Sequence, residues 1–230
     1  MLFSAIQDFS TDPVYTIINI LLLIPTILIS LTFHEYAHGR MALALGDKTA
    51  LMAGRLTLNP IRHLDPIGAL MLLLFGFGYA KPVPINPRNF DRVKYKTGMI
   101  LVSIAGPLTN FILAFIGVLC IHISTTIAYY LGSSEIVYIV IYIFFLNFSS
   151  INIGLGIFNL IPLPPLDGSR ILTVFLPAKA QMWFFRYERY IQLAIFALIW
   201  FGVLDTPLYF LRSLIFQGFD KLISLIPFLI

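Results

Sequence analysis

The sequence predicts an all-α protein that crosses a membrane several times. Three observations predict it. Of 230 residues, 59% are hydrophobic and only 11% are charged, against about 25% charged in soluble domains. Asp, Glu, Lys and Arg are absent from residues 13–34, 97–134, 136–166 and 190–204, and a bilayer span needs about 20 mostly apolar residues. The Lys and Arg residues sit beside those runs, where they set membrane orientation. This composition excludes an ordinary soluble domain and a disordered chain. It also excludes a nucleic-acid binder, because the net charge of +4 belongs to the flanks of apolar runs. The single cysteine, Cys120, has no partner for an internal disulfide.

The first charge-free run fits one helix, over about 13–40. The second is broken by Gly132-Ser133-Ser134, so one long helix is expected over about 98–128. The third makes a helix over about 136–160. The fourth, with Trp183 and Trp200 near its ends, makes a shorter span near 186–204. The tail 207–230 is apolar but carries Arg212, Asp220 and Lys221; it either spans or lies in the interface. Residues 66–80 are uncharged but too few to cross comfortably, and they hold Gly68, Gly76 and Gly78. A re-entrant segment is expected there, its backbone covered by protein. The N-terminus carries Asp8 and Asp12 in place of the basic region of a signal peptide. The first apolar stretch is therefore expected to stay in the mature protein.

Orientation follows from the basic residues. Segments 40–65, 81–96 and 167–189 each carry four or five Lys or Arg, and the 129–135 turn carries none. The three basic segments are expected on the cytoplasmic side and the turn outside. One helix then enters, one leaves and one returns, and 66–80 must begin and end on one face. Between Gly46 and Pro66 the pattern changes. Residues 50–58 read as two short strands about Gly54, a small membrane-associated β-hairpin.

His34-Glu35-Tyr36-Ala37-His38 carries the chemistry. Two imidazoles four residues apart lie on one face of a helix, and that spacing suits two neutral His ligands on one Zn²⁺. Catalytic zinc lowers the pKa of its water to about 7, and Glu35, next to the first His, can take that proton. The ordinary alternative is a satisfied His pair near the surface, with Glu35 paired to Arg40. A third protein ligand is needed. Cys120 and His122 lie too far along the outward helix. His63 is on the right side but reads as a loop histidine. Asp167 ends the returning helix at the depth of His34 and His38. Pro162, Pro164 and Pro165 unwind the chain before it, and Gly168 allows close approach. Gly106-Pro107 kinks the outward helix, and Asn110 either faces the site or bonds across helices.

These motifs resemble the site-2 protease family of intramembrane zinc metalloproteases, peptidase family M50. The resemblance rests on HEYAH in a membrane helix and on N-x-x-P-x-x-x-x-D-G running from Asn159 to Gly168. Gly54-Arg-Leu-Thr-Leu-Asn-Pro60, His63 and Asp65-Pro66 resemble the family's membrane-associated hairpin. The resemblance implies His34, His38 and Asp167 as ligands of one zinc per chain and Glu35 as acid/base. It implies that Asn159 helps to hold substrate or the oxyanion.

One integral-membrane peptidase domain is then expected over 1–230, with a catalytic core of about 13–175 and C-terminal helices at about 183–230. No insertion is long enough for a PDZ domain, and no C-terminal CBS domain is seen. The expected substrates are membrane-spanning or membrane-inserted peptides, cut near the cytoplasmic face after local unwinding. The edge of the 50–58 hairpin would receive the unwound strand, so proline at Leu56 or Leu58 should slow cleavage. Rival readings are a metal-ion transporter, with ligands strung along a path, and a non-enzymatic scaffold.

Overall fold

A computed structural model of the chain describes residues 13–75, 80–132 and 134–229. Its α-helices in chain order are α1 (Pro13–Ala44), α2 (Thr49–Met52), α3 (Pro66–Phe75), α4 (Tyr95–Leu131), α5 (Glu135–Asn159), α6 (Asp167–Phe175), α7 (Ala178–Trp200) and α8 (Asp205–Ile223). Short 3-10 turns occupy Pro60–Arg62 and Pro87–Asn89. No strand occurs among the described residues.

Three helices, α1, α4 and α5, are long and apolar enough to cross a membrane. The protein is thus helical and multi-pass. The fourth expected span, 186–204, is different. α7 starts earlier, at Ala178, and ends at Trp200; only α7 and α8 together are long and apolar enough for a further crossing, and they bend by 80° at their junction. Three arginines and lysines in the first half of α7 (Lys179, Arg186 and Arg189) are what the apolar count of 190–204 alone overlooked.

α1, α4 and α5 pack against one another as the central bundle. Water drives no association between helices inside lipid, so close backbone approach and buried polar contacts must hold them. Both are present. A Cβ on Gly156 of α5 would press into the ring of Phe111, and one on Gly117 of α4 would collide with Ser149. The buried core joins Leu23, Ile27 and Leu31 of α1 to Leu72 of α3 and to Ile151 and Leu155 of α5. α8 lays Leu208, Ile215, Phe216 and Phe219 over Ala114, Ile153 and Ile157.

The expected hairpin at 50–58 is not formed. Residues 49–52 make one helical turn. Ala50, Leu51 and Met52 are good helix formers without β-branching, and Gly54 (φ +63°) ends the turn. The Gly54 N–H reaches Leu51 O at 3.0 Å and the Arg55 N–H reaches Ala50 O at 2.9 Å, a Schellman closure. Gly54 is a helix stop, which looks the same in sequence as a hairpin turn. With no strand edge there, the expected effect of proline at Leu56 or Leu58 loses its basis. α3 has ten residues, a rise of about 15 Å, about half of a bilayer core. The other arm of the expected re-entrant segment includes 76–79, outside the described residues, as are Asp8 and Asp12.

α1 also ends in a Schellman closure. Gly46 has φ +107°, its N–H bonds Leu43 O at 3.1 Å, and the Asp47 N–H bonds Ala42 O at 2.9 Å. This turns Asp47 inward, where it is 0% exposed. Burial alone would raise its carboxyl pKa. Hydrogen bonds from the Thr49 hydroxyl, the Asn89 amide and the Asn86 and Thr49 backbone outweigh that and hold it below the ordinary 3.8. A carboxyl whose folded pKa is depressed stabilises the fold above its unfolded pKa and loses that contribution as pH falls through the folded one. The melting temperature in detergent should therefore exceed that of Asp47→Asn at neutral pH. The gap should close as the pH drops below 3.8. A gap that widens in acid would contradict this.

Candidate metal centre

α1 carries His34 and His38 on one face, and both are buried. The chain after α5 runs through Pro162, Pro164 and Pro165 and delivers Asp167, the first residue of α6, to the same point. Nε2 of His34 and Nε2 of His38 lie 3.1 Å apart. Asp167 Oδ2 is 3.2 Å from the first and 3.1 Å from the second. Among the described residues these three form the one group of His, Cys, Asp or Glu able to hold a metal ion. The structure thus brings together His34, His38 and Asp167. It leaves Cys120 and His122 elsewhere: His122 Nε2 bonds Asp220 of α8 at 2.9 Å.

The hydrogen bonds at the far side of each ring fix what the near side offers. His34 Nδ1 bonds Asn110 Oδ1, and His38 Nδ1 bonds Val102 O at 2.7 Å. Both acceptors lack a proton, so each Nδ1 is the donor, and in the neutral imidazole each Nε2 is then the free ligand atom. Burial alone would raise the Asp167 carboxyl pKa, but the imidazoles of His38 and His34 outweigh it and hold it well below the ordinary carboxylate range. Asp167 is therefore acceptor-only as well. Three possible ligand atoms face one another at 3.1–3.2 Å, and with both imidazoles neutral a cation is what would hold them together. A tetrahedral zinc with bonds of about 2.0–2.1 Å has ligand–ligand edges of about 3.3 Å. The donor set and its spacing fit that ion.

Asn110 faces the site and also bonds across helices. Its Nδ2 donates to Asn152 Oδ1 at 2.7 Å, and Asn152 Nδ2 donates to Ser30 Oγ at 2.8 Å. A buried polar chain thus joins α1, α4 and α5 behind His34. The sequence signal for Asn110 is an uncharged polar residue in an apolar span, and Asn152 and Ser30 carry the same signal in theirs. Asn110→Leu keeps the size and removes the acceptor. It is expected to lower zinc affinity about 10–100-fold, read by chelator competition; unchanged affinity would show that Asn110 only packs.

Gly106 sets how close α4 can come. A Cβ there would overlap Nε2 and Cε1 of His38 and Cε1 of His34. Glu35 is buried, and its Oε2 accepts the Val83 N–H at 2.9 Å. No ion pair between Glu35 and Arg40 occurs among the described residues. His34, Glu35, Asp167 and Asn159 line one cavity of about 630 Å³, together with Gln181, Glu188 and Gln192 of α7. The Asn159 amide donates back to Leu155 O at 3.0 Å. His63 is buried away from the cluster, with Nε2 on Thr57 O at 2.7 Å.

A profile of peptidase family M50 matches residues 22–202. The chain belongs to peptidase family M50. This M50 chain is 40% identical over 212 residues to a Bacillus subtilis protein named "Putative zinc metalloprotease YwhC", covering 88% of this chain and 90% of that one. It is 27% identical to the "Putative zinc metalloprotease Rip2" of Mycolicibacterium smegmatis over 67% of this chain and 57% of that one. It is 28% identical to the "Zinc metalloprotease MJ0392" of Methanocaldococcus jannaschii over 66% of this chain and 33% of that one. The matched regions thus span little more than half and one third of those two longer relatives. No solved structure matches the chain significantly. The site-2 protease resemblance holds, the protein is a zinc metalloprotease, and the transporter and scaffold readings fall away.

Proposed function

We propose that this zinc metalloprotease hydrolyses peptide bonds within or near the transmembrane segments of other membrane proteins. The observation that carries this is the placement of the ligand cluster. Two ligands sit in a helix long and apolar enough to span a bilayer. The third opens the segment that follows another such helix, and all three lie at one end of the bundle. The basic segments at that end (40–65, 81–96 and 167–189) support a cytoplasmic position for the site. The whole described chain is read as one integral-membrane peptidase domain holding one zinc.

In this reading His34, His38 and Asp167 hold the metal. Bound zinc supplies Lewis acidity to water and to a scissile carbonyl. The chain's own groups do the rest. The Asn110 side chain and Val102 O take the Nδ1 protons, so in the neutral imidazoles both Nε2 atoms are left to face the metal. Glu35 keeps Oε2 on the Val83 N–H, which leaves Oε1 to take a proton from the attacking water and return it to the leaving amine. Asn159, on the cavity wall, is the candidate donor to the oxyanion once its amide turns from Leu155 O. A substrate helix hides its amides in internal hydrogen bonds and must unwind before it can enter.

The test is incubation of the purified protein in detergent with a panel of single-span peptides, with and without a zinc chelator. Chelator-sensitive cuts inside or beside the apolar span are expected. Cuts confined to soluble peptides, or cuts that the chelator leaves untouched, would contradict the reading.

A further inference from the structure

The residues between α3 and α4 include a stretched strap, 80–92, with Pro82, Pro84 and Pro87 along it. Among the described residues its hydrogen bond to the catalytic groups is the Val83 N–H on Glu35 Oε2. Everything else fastens it elsewhere. At one end the Lys81 N–H bonds His63 O at 2.9 Å, and Arg55 Nη2 bonds Lys81 O at 2.7 Å. At the other end the Asn86 N–H donates to Asp47 Oδ2 at 2.7 Å, and Asn89 Nδ2 donates to Asp47 Oδ1 at 2.9 Å. The Asp91 N–H and Arg92 Nη1 continue this fastening on Leu45 O and Ala44 O, at 3.2 and 3.0 Å.

Asp47 is the one ionised group in that second fastening that is fully buried. Thr49 adds two donors, its N–H at 3.0 Å and its hydroxyl. No cation pairs with Asp47 among the described residues. A carboxylate without a counter-ion is costly to bury unless several donors meet it. A neutral side chain at this position could not accept from all four donors. Only two residues, Pro84 and Ile85, separate Asn86 from Val83. Pro84 fixes its own φ and restricts Val83 before it, so a shift at Asn86 reaches the Val83 N–H with little lost on the way.

We propose that Asp47 is a positioning residue for proteolysis: it fastens the 80–92 strap so that the Val83 N–H holds Glu35 in place. This rests on Glu35 being the base, as proposed above. Asp47 touches neither zinc nor substrate. Its loss should therefore lower kcat while leaving KM and zinc content in place, a split that loss of folding would not give.

The experiment compares four full-length proteins on one single-span peptide: wild type, Asp47→Asn, Val83→Pro and the double variant. Each is assayed for kcat, KM, bound zinc and melting temperature. Asp47→Asn is expected to keep one zinc and a KM within about twofold of wild type, with kcat down about tenfold, part of the ~10²–10⁴ that a general base contributes. Val83→Pro removes the donor itself and should lower kcat at least as far. The double variant should match Val83→Pro, because residues acting through one bond are not additive. An unchanged kcat in Asp47→Asn, or a full further tenfold loss in the double variant, overturns the proposal. If Asp47→Asn loses zinc or fails to fold, Asn89→Ala takes its place. That variant removes one donor from the carboxylate; a kcat lowered about threefold supports the proposal and an unchanged kcat overturns it. A wild type that does not cleave overturns the proteolytic reading itself. A wild type that cleaves beside an unimpaired Asp47→Asn overturns only the role of Asp47.

Discussion

Glu35→Gln should abolish peptide hydrolysis while leaving the metal in place. The amide keeps the size of the carboxylate and an oxygen that can accept the Val83 N–H, so α1 and the strap stay put. It cannot take a proton from water. General-base loss alone is worth about 10²–10⁴ in rate, and of the carboxylates lining the cavity, Glu35, Asp167 and Glu188, Glu35 is the one next to His34 in α1. The measurement is kcat on a single-span peptide together with bound zinc. Full zinc and a rate lower by at least about 10² is the expected pair. Retained activity would remove Glu35 from the mechanism.

Gly106→Ala should cost the metal instead. One methyl group there overlaps ring atoms of both His34 and His38. Neither ring is free to swing aside, because Asn110 and Val102 O hold their Nδ1 atoms. The strain goes into the Nε2 positions or into the packing of α4 on α1. A zinc site tolerates about 0.2 Å in ligand distance, less than this overlap requires. Zinc content after dialysis should fall well below one per chain, with activity falling in proportion and helical content by circular dichroism unchanged. Full zinc occupancy would show that α4 can yield.

The candidate metal cluster is legible because lipid makes charged and imidazole side chains scarce. In spans with almost no charge, an HEYAH element and one Asp-Gly after a returning helix leave few candidates, and the positive-inside pattern put them at one depth. The three spans were legible for the same reason. What failed was local. The 50–58 segment reads as a hairpin because Gly54 fits both a β-turn and a helix stop, and only Ala50, Leu51 and Met52 argue for the second. The supports of the site were hidden for a different reason. Val102 and Val83 act through backbone O and N–H, which any residue supplies. Asp47 follows a Gly like many exposed turn residues, and only the Schellman closure of α1 reveals that it points inward. Asn110 was noticed, but nothing in one sequence distinguishes a polar group that bonds a neighbouring helix from one that bonds a ligand. Here it does both.

The central claim is that His34, His38 and Asp167 hold one zinc for Glu35 to work beside. X-ray absorption at the zinc edge, on the purified full-length protein, tests it most directly. The expected spectrum is one zinc per chain with two imidazoles and oxygen ligands at about 2.0–2.1 Å, lost together in His38→Ala. A sulfur shell at about 2.3 Å, or zinc retained by His38→Ala with the same spectrum, would contradict it.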